Sequence, residues 1–150
     1  MSLKDRLVED MKVAMKAKGE GKVKLSVIRM ARAAIKNAEI DKRQEFNDTQ
    51  VIEVLAREVK MRRDAMVEFA KANRPEVVKS LEEEIAILMD YLPQQLSEGE
   101  IRHIAQAVIV DVGAQGSKDL GKVMGALTPK TKGRADGRLV NQIVRELLGS

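Results

Sequence analysis

Seven times along this chain, apolar side chains return every third or fourth position, and most of these runs stop at glycine or proline. That spacing lays a stripe along one face of a helix, whereas a half-buried strand needs strict alternation. Leu3, Leu7, Met11, Ala14 and Met15 mark a first helix ending near Lys18, with Gly19 and Gly21 as the breaker. Leu25, Ile28, Ala31 and Ile35 mark a second, from about Lys24 to Ile40. Val51, Leu55, Val59, Met66 and Phe69 carry a third and longer one, capped by Asn47 or Asp48. Pro75 suits the first turn of a fourth, which Val78, Leu81, Ile85, Leu88 and Met89 continue to Tyr91.

Pro93 ends that run, and Ser97-Glu98-Gly99-Glu100 is a capping box for the next. Ile101, Ile104, Ala105, Val108 and Val112 then face one way until Gly113 and Gly116. Leu120, Val123, Met124 and Leu127 form a short sixth stripe, and Pro129 is expected to block it, holding Thr128 extended. Leu139, Val140, Ile143, Val144 and Leu147 repeat the spacing in a last helix, with Asp136 as its N-cap. Three aromatic residues (Phe46, Phe69, Tyr91) offer little to a β-sandwich core. The expectation is an all-α protein with a four-helix N-terminal part, 1–92, and a three-helix C-terminal module, 93–150. Methionines 11, 15, 30, 66, 89 and 124 fall in helical runs and are expected to fill core gaps.

Charge is distributed less evenly than hydrophobicity. The chain carries 27 basic and 23 acidic residues, a net +4. The stretch from Lys118 to Arg138 contains Lys118, Lys122, Lys130, Lys132, Arg134 and Arg138 against Asp119 and Asp136, which is also +4. The rest is therefore neutral, and the excess sits in one basic hairpin. A solvated loop and an electrostatic footprint for phosphates both account for it. A second basic stripe, Arg29, Arg32 and Lys36, follows the apolar face of the second helix. It is suited to phosphate, to covering the core edge, or to pairing with acids of a neighbouring helix. Arg57, Lys60, Arg62 and Arg63 are interleaved with acids and read as a solvated face, as does the run Glu82, Glu83, Glu84.

Chemistry is harder to find. With no cysteine, disulfides, thiolate metal sites and a cysteine nucleophile are excluded. His103, the one histidine, points away from the apolar stripe of its helix, and no second histidine shares a metal or dyad with it. No serine sits in an activating arrangement, and Gly121 and Gly125 lack the spacing of a phosphate loop. Their separation of four fits close approach by another helix or a nucleic-acid backbone. No catalytic residue, metal or cofactor is assigned. The charged first residues contain no leader-like apolar region, and no apolar run reaches the roughly 20 residues that span a bilayer, so a cytoplasmic location is the default expectation and no membrane partner is expected.

The segment GKVMGALTPKTKGRADGRLVNQIV closely resembles the signature of the GatB/YqeY family. LSVIRMARAAIKNAEI, REVKMRRDAMVEF and YLPQQLSEGEI are similar to the other blocks of the stand-alone pattern, so the resemblance covers nearly the whole chain. It implies kinship with the tail of the B subunit of glutamine-dependent tRNA amidotransferases, carbon–nitrogen ligases with glutamine as amido donor. In those enzymes the resemblance points to a tRNA-gripping appendage, not to the catalytic centre. The expected function is binding of tRNA or another structured RNA, with an aminoacyl-tRNA synthetase or amidotransferase as a possible protein partner. Lys122, Lys130, Lys132, Arg134 and Arg138 are the expected phosphate contacts, and Gly133 and Gly137 the places where backbone amides come close. With so few aromatics, shape and backbone are read in preference to base sequence. The competing reading is a helical adaptor for a protein partner.

Overall fold

The computed structural model describes residues 1–149, and among these every regular element is helical: α1 (Leu3–Lys16), α2 (Lys22–Lys42), α3 (Asp48–Lys71), α4 (Pro75–Met89), α5 (Glu98–Val112), α6 (Leu120–Thr131) and α7 (Gly137–Leu148). Short 3₁₀ turns, Lys18–Gly21 and Ser117–Asp119, precede α2 and α6. The all-α expectation of four helices followed by three is met. The chain divides into two compact units, Met1–Leu92 and Pro93–Ser150.

The first unit packs α1 on α2 and α3 on α4, with α2 against both members of the second pair. Its core is aliphatic and built on Leu7, Val27, Ile28, Val51, Leu55 and Leu88. The second unit is a three-helix arrangement in which α5, α6 and α7 all touch. Ile101, Ala105, Val123, Leu127, Ile143 and Val144 fill its centre.

Local sequence explains the helix ends. Ser2, Asn47 and Ser97 each accept the third amide of their helix, while Asp5, Gln50 and Glu100 reach back to the cap amide. Asn47 is thus the cap of α3; the alternative, Asp48, instead accepts the Leu3 amide at 2.9 Å and ties α1 to α3. The turn after α1 uses its glycines differently from expectation. Lys18 takes the left-handed conformation (φ 54°), and Gly21 allows close approach: a Cβ there would lie 2.2 Å from the Ala14 carbonyl oxygen.

Three expectations need correction. Pro129 does not stop α6, which runs on to Thr131. Proline so near the helix end costs the last turn little more than the one bond to the Gly125 carbonyl, and Thr128 remains helical, its hydroxyl donating to the Met124 carbonyl at 2.7 Å. Arg62 is not on a solvated face but buried, at 9% exposure. Its Nε donates to Glu84 at 3.0 Å and its Nη1 to the Glu58 carbonyl and carboxylate at 3.0 and 3.2 Å, which also draws Glu84 out of the solvated acidic run. Finally, Met15 and Met30 are exposed, whereas Met11, Met89 and Met124 pack against the cores.

Candidate functional site

The basic hairpin becomes a turn joining two short helices. After Thr131, Lys132 leaves helical geometry and its amide bonds the Thr128 carbonyl at 3.0 Å. Gly133 then turns through the left-handed region (φ 75°), which a side chain would disfavour, and the Arg134 amide donates to the Thr131 carbonyl at 2.9 Å. Asp136 starts α7, its carboxylate accepting the Arg138 amide at 3.1 Å. The last helix is strongly amphipathic and drives Val140, Ile143 and Val144 into the core, so the turn is anchored at both ends.

A second stretch of chain fixes this turn from the side. The Gln95 carboxamide Nε2 donates to the Gly133 carbonyl at 2.9 Å and to the Pro93 carbonyl at 2.8 Å. One residue on, the Leu96 amide donates to the Arg134 carbonyl at 2.8 Å. The segment Pro93–Leu96, read from sequence as a boundary within one of the family-like blocks, is thus the brace of the basic turn. No spacing rule flags it, because the partners are 38 residues apart.

The expected site residues separate into groups. Lys130, Lys132, Arg134 and Arg138 are exposed and lie on or beside the turn. Lys122 is exposed on α6 about 12 Å further along the helix axis from Lys130. Gly137 is exposed as the first residue of α7, with open space where a Cβ would stand. Gly133 is buried, and its carbonyl accepts from Gln95. Gly121 and Gly125 meet no helix of this chain: nothing lies within 4 Å of either Cβ position, and both are exposed beside Lys122. Arg145, which sequence reasoning passed over, sits two turns beyond Arg138 on the same side of α7, its Nε bonded to the Asn141 side chain at 2.7 Å.

The electrostatic setting is predominantly positive but not unopposed. Glu100 has its pKa lowered, first by the Ser97 amide and hydroxyl and further by the positive charge of Arg134. Arg102 is already held between Glu98 and Glu146 at 3.0 and 2.6 Å, which removes it from the set available to an anion. His103 is exposed on α5. No described helix is long and apolar enough to cross a membrane.

Known proteins resemble this chain in sequence to differing extents. A family model described as Yqey-like protein matches residues 4–148. A Pyrenophora tritici-repentis protein named altered inheritance of mitochondria protein 41, mitochondrial, is 27% identical over 97% of this chain and 80% of its own length. Its namesake in Lachancea thermotolerans is 35% identical over 63% of this chain and 51% of its own length. A Thermococcus sibiricus protein, named as one subunit of a glutamyl-tRNA(Gln) amidotransferase, is 40% identical over 34% of this chain and only 9% of its own length. The expected cytoplasmic location does not stand against these relatives, two of which carry mitochondrial in their names.

Proposed function

Since the chain belongs to the family of Yqey-like proteins, we propose that it is an RNA-binding accessory protein whose braced basic turn grips the phosphate backbone of tRNA or a similarly structured RNA. One observation carries this reading: Lys130, Lys132, Arg134 and Arg138 are exposed together on a turn that Gln95 and Leu96 hold in place. Such pre-ordering lowers the entropy lost when the turn meets a ligand. The amino end of α7 adds its partial positive charge, and the bare faces of Gly121, Gly125 and Gly137 admit a backbone closely. The name of the Thermococcus sibiricus relative, a tRNA amidotransferase component, supports tRNA as the RNA and an amidotransferase or synthetase as the setting. The contribution of this chain to carbon–nitrogen ligation is then delivery or positioning of RNA. The isolated protein is expected to release neither ammonia from glutamine nor phosphate from ATP at an enzymatic rate, and sustained turnover abolished by one side-chain change would refute this.

The direct test changes Lys130, Lys132, Arg134 and Arg138 together to Gln and follows binding of labelled tRNA by fluorescence anisotropy. Most affinity is expected to disappear while circular dichroism stays the same. The matched control is Arg57, Lys60, Lys71 and Lys79 changed to Gln, all exposed; Arg62 is unsuitable because it is buried. Equal losses in the two variants would mean diffuse electrostatics with no site at the turn. If the unaltered protein binds no RNA at low salt, the adaptor reading replaces this one.

A further inference from the structure

Between α1 and α2 of the first unit runs a groove of about 580 Å³, within the range that holds small ligands. Arg29, Arg32 and Lys36 line the α2 wall, Glu39 follows them one turn further along the same helix, and Lys4 of α1 stands across, with Glu45 at the rim. The stripe repeats at i, i+3 and i+7, so its three cationic heads rise along one side of α2 over about 10 Å.

The acids of the groove already have partners. Glu39 accepts the Lys4 ammonium at 2.7 Å and the Phe46 amide at 2.8 Å; these bonds, with a smaller contribution from the charge of Lys36 one turn before it, hold its pKa below the usual carboxylate range. Glu45 lies 4.0 Å from the same ammonium, with its side chain 95% exposed. Asp5, also on the lining, receives the Ser2 amide within the α1 cap at 3.4 Å. The cations of the α2 wall are differently placed. Arg32 Nη1 rests on the Met11 thioether at 3.3 Å, a weak acceptor that leaves the other donors of the guanidinium to a stronger one. Among the described residues the ion pairs of this groove are those of Lys4 with Glu39 and Glu45, and Arg29 takes part in neither.

We propose that the α1–α2 groove is a second anion site, binding a phosphoryl group between the Arg29 and Arg32 guanidiniums and the Lys36 ammonium. Planar guanidiniums match phosphate oxygens two at a time, and the lysine adds a point charge at the end of the stripe. The group is either a phosphodiester of bound RNA or the phosphate of a small metabolite. The site stands on its own residues and does not depend on the reading of the basic turn.

The test uses the full chain carrying the four Gln changes at the turn, so that signals from that region are silent. Inorganic pyrophosphate is titrated and backbone amides are followed by NMR. Saturable shifts are expected from Arg29 to Glu39. Adding Arg29→Gln, Arg32→Gln and Lys36→Gln is expected to weaken binding at least tenfold with unchanged circular dichroism. Arg29→Lys with Arg32→Lys, which keeps charge but loses the forks, is expected to weaken it severalfold, and this second variant serves if the first misfolds. Displacement of pyrophosphate by tRNA would assign the site to nucleic-acid backbone; retention would assign it to a phosphorylated small molecule. Shifts that do not saturate, or that persist at equal strength in the variants, would overturn the proposal.

Discussion

Arg62 occupies a position where arginine survives only with partners, since a buried guanidinium without counter-charge is strongly unfavourable. It joins α3 to α4 through Glu58 and Glu84, whose side chains are themselves mostly covered. Changing Arg62→Met leaves those two carboxylates close together and uncompensated. A loss of about 3 kcal/mol is expected from urea denaturation, largely recovered when Glu58→Gln and Glu84→Gln are added. Full stability in the single variant would mean that water already solvates the cluster. Glu39 makes a separate prediction about pH. Because its folded pKa lies below the unfolded value of about 4.3, its contribution is present above that pH and is lost as the solution acidifies through the folded value. Glu39→Gln is therefore expected to flatten the acid limb of a melting-temperature profile below about pH 4 and to leave an offset near neutrality. An unchanged acid limb would show that the Lys4 and Phe46 contacts do not persist in solution.

At the scale of elements, the decisive one is the turn between α6 and α7 with its brace. Gln95→Ala removes the donor to a buried carbonyl, and an unsatisfied buried acceptor costs about 1–3 kcal/mol. Thermal melts should show that loss, and tRNA affinity should fall severalfold with helix content unchanged. If affinity holds while stability falls, the Leu96–Arg134 contact alone keeps the turn in shape. Helix number, stripes and the Ser97 capping box were legible because they depend on neighbours three or four residues away. The cations of the turn were legible for the same reason, being close together in sequence. What escaped was set by distant partners: the brace from Gln95, the burial of Arg62 beneath Glu84, and the pairing of Glu39 with Lys4 in the groove lined by Arg29, Arg32 and Lys36. Pro129 escaped for another reason, since a rule about helix interiors was applied to a last turn that has few bonds left to lose.

At the scale of the molecule, the two compact units carry basic features of different kinds. The first holds cations along a groove that also contains paired acids; the second exposes them on a braced turn. Its few aromatic residues leave the chain poorly equipped to stack on bases, so the RNA grip proposed for it should be electrostatic and tolerant of sequence. Salt dependence measures that grip most directly. If the four side chains of the turn each neutralise a phosphate, a plot of log K against log salt for tRNA should have a slope of about −3 to −4 attributable to them, roughly a hundredfold loss between 50 and 200 mM. The variant with Lys130, Lys132, Arg134 and Arg138 changed to Gln should then show a slope shallower by that amount. A variant that binds as steeply as the unaltered protein would contradict a phosphate-gripping role for the turn.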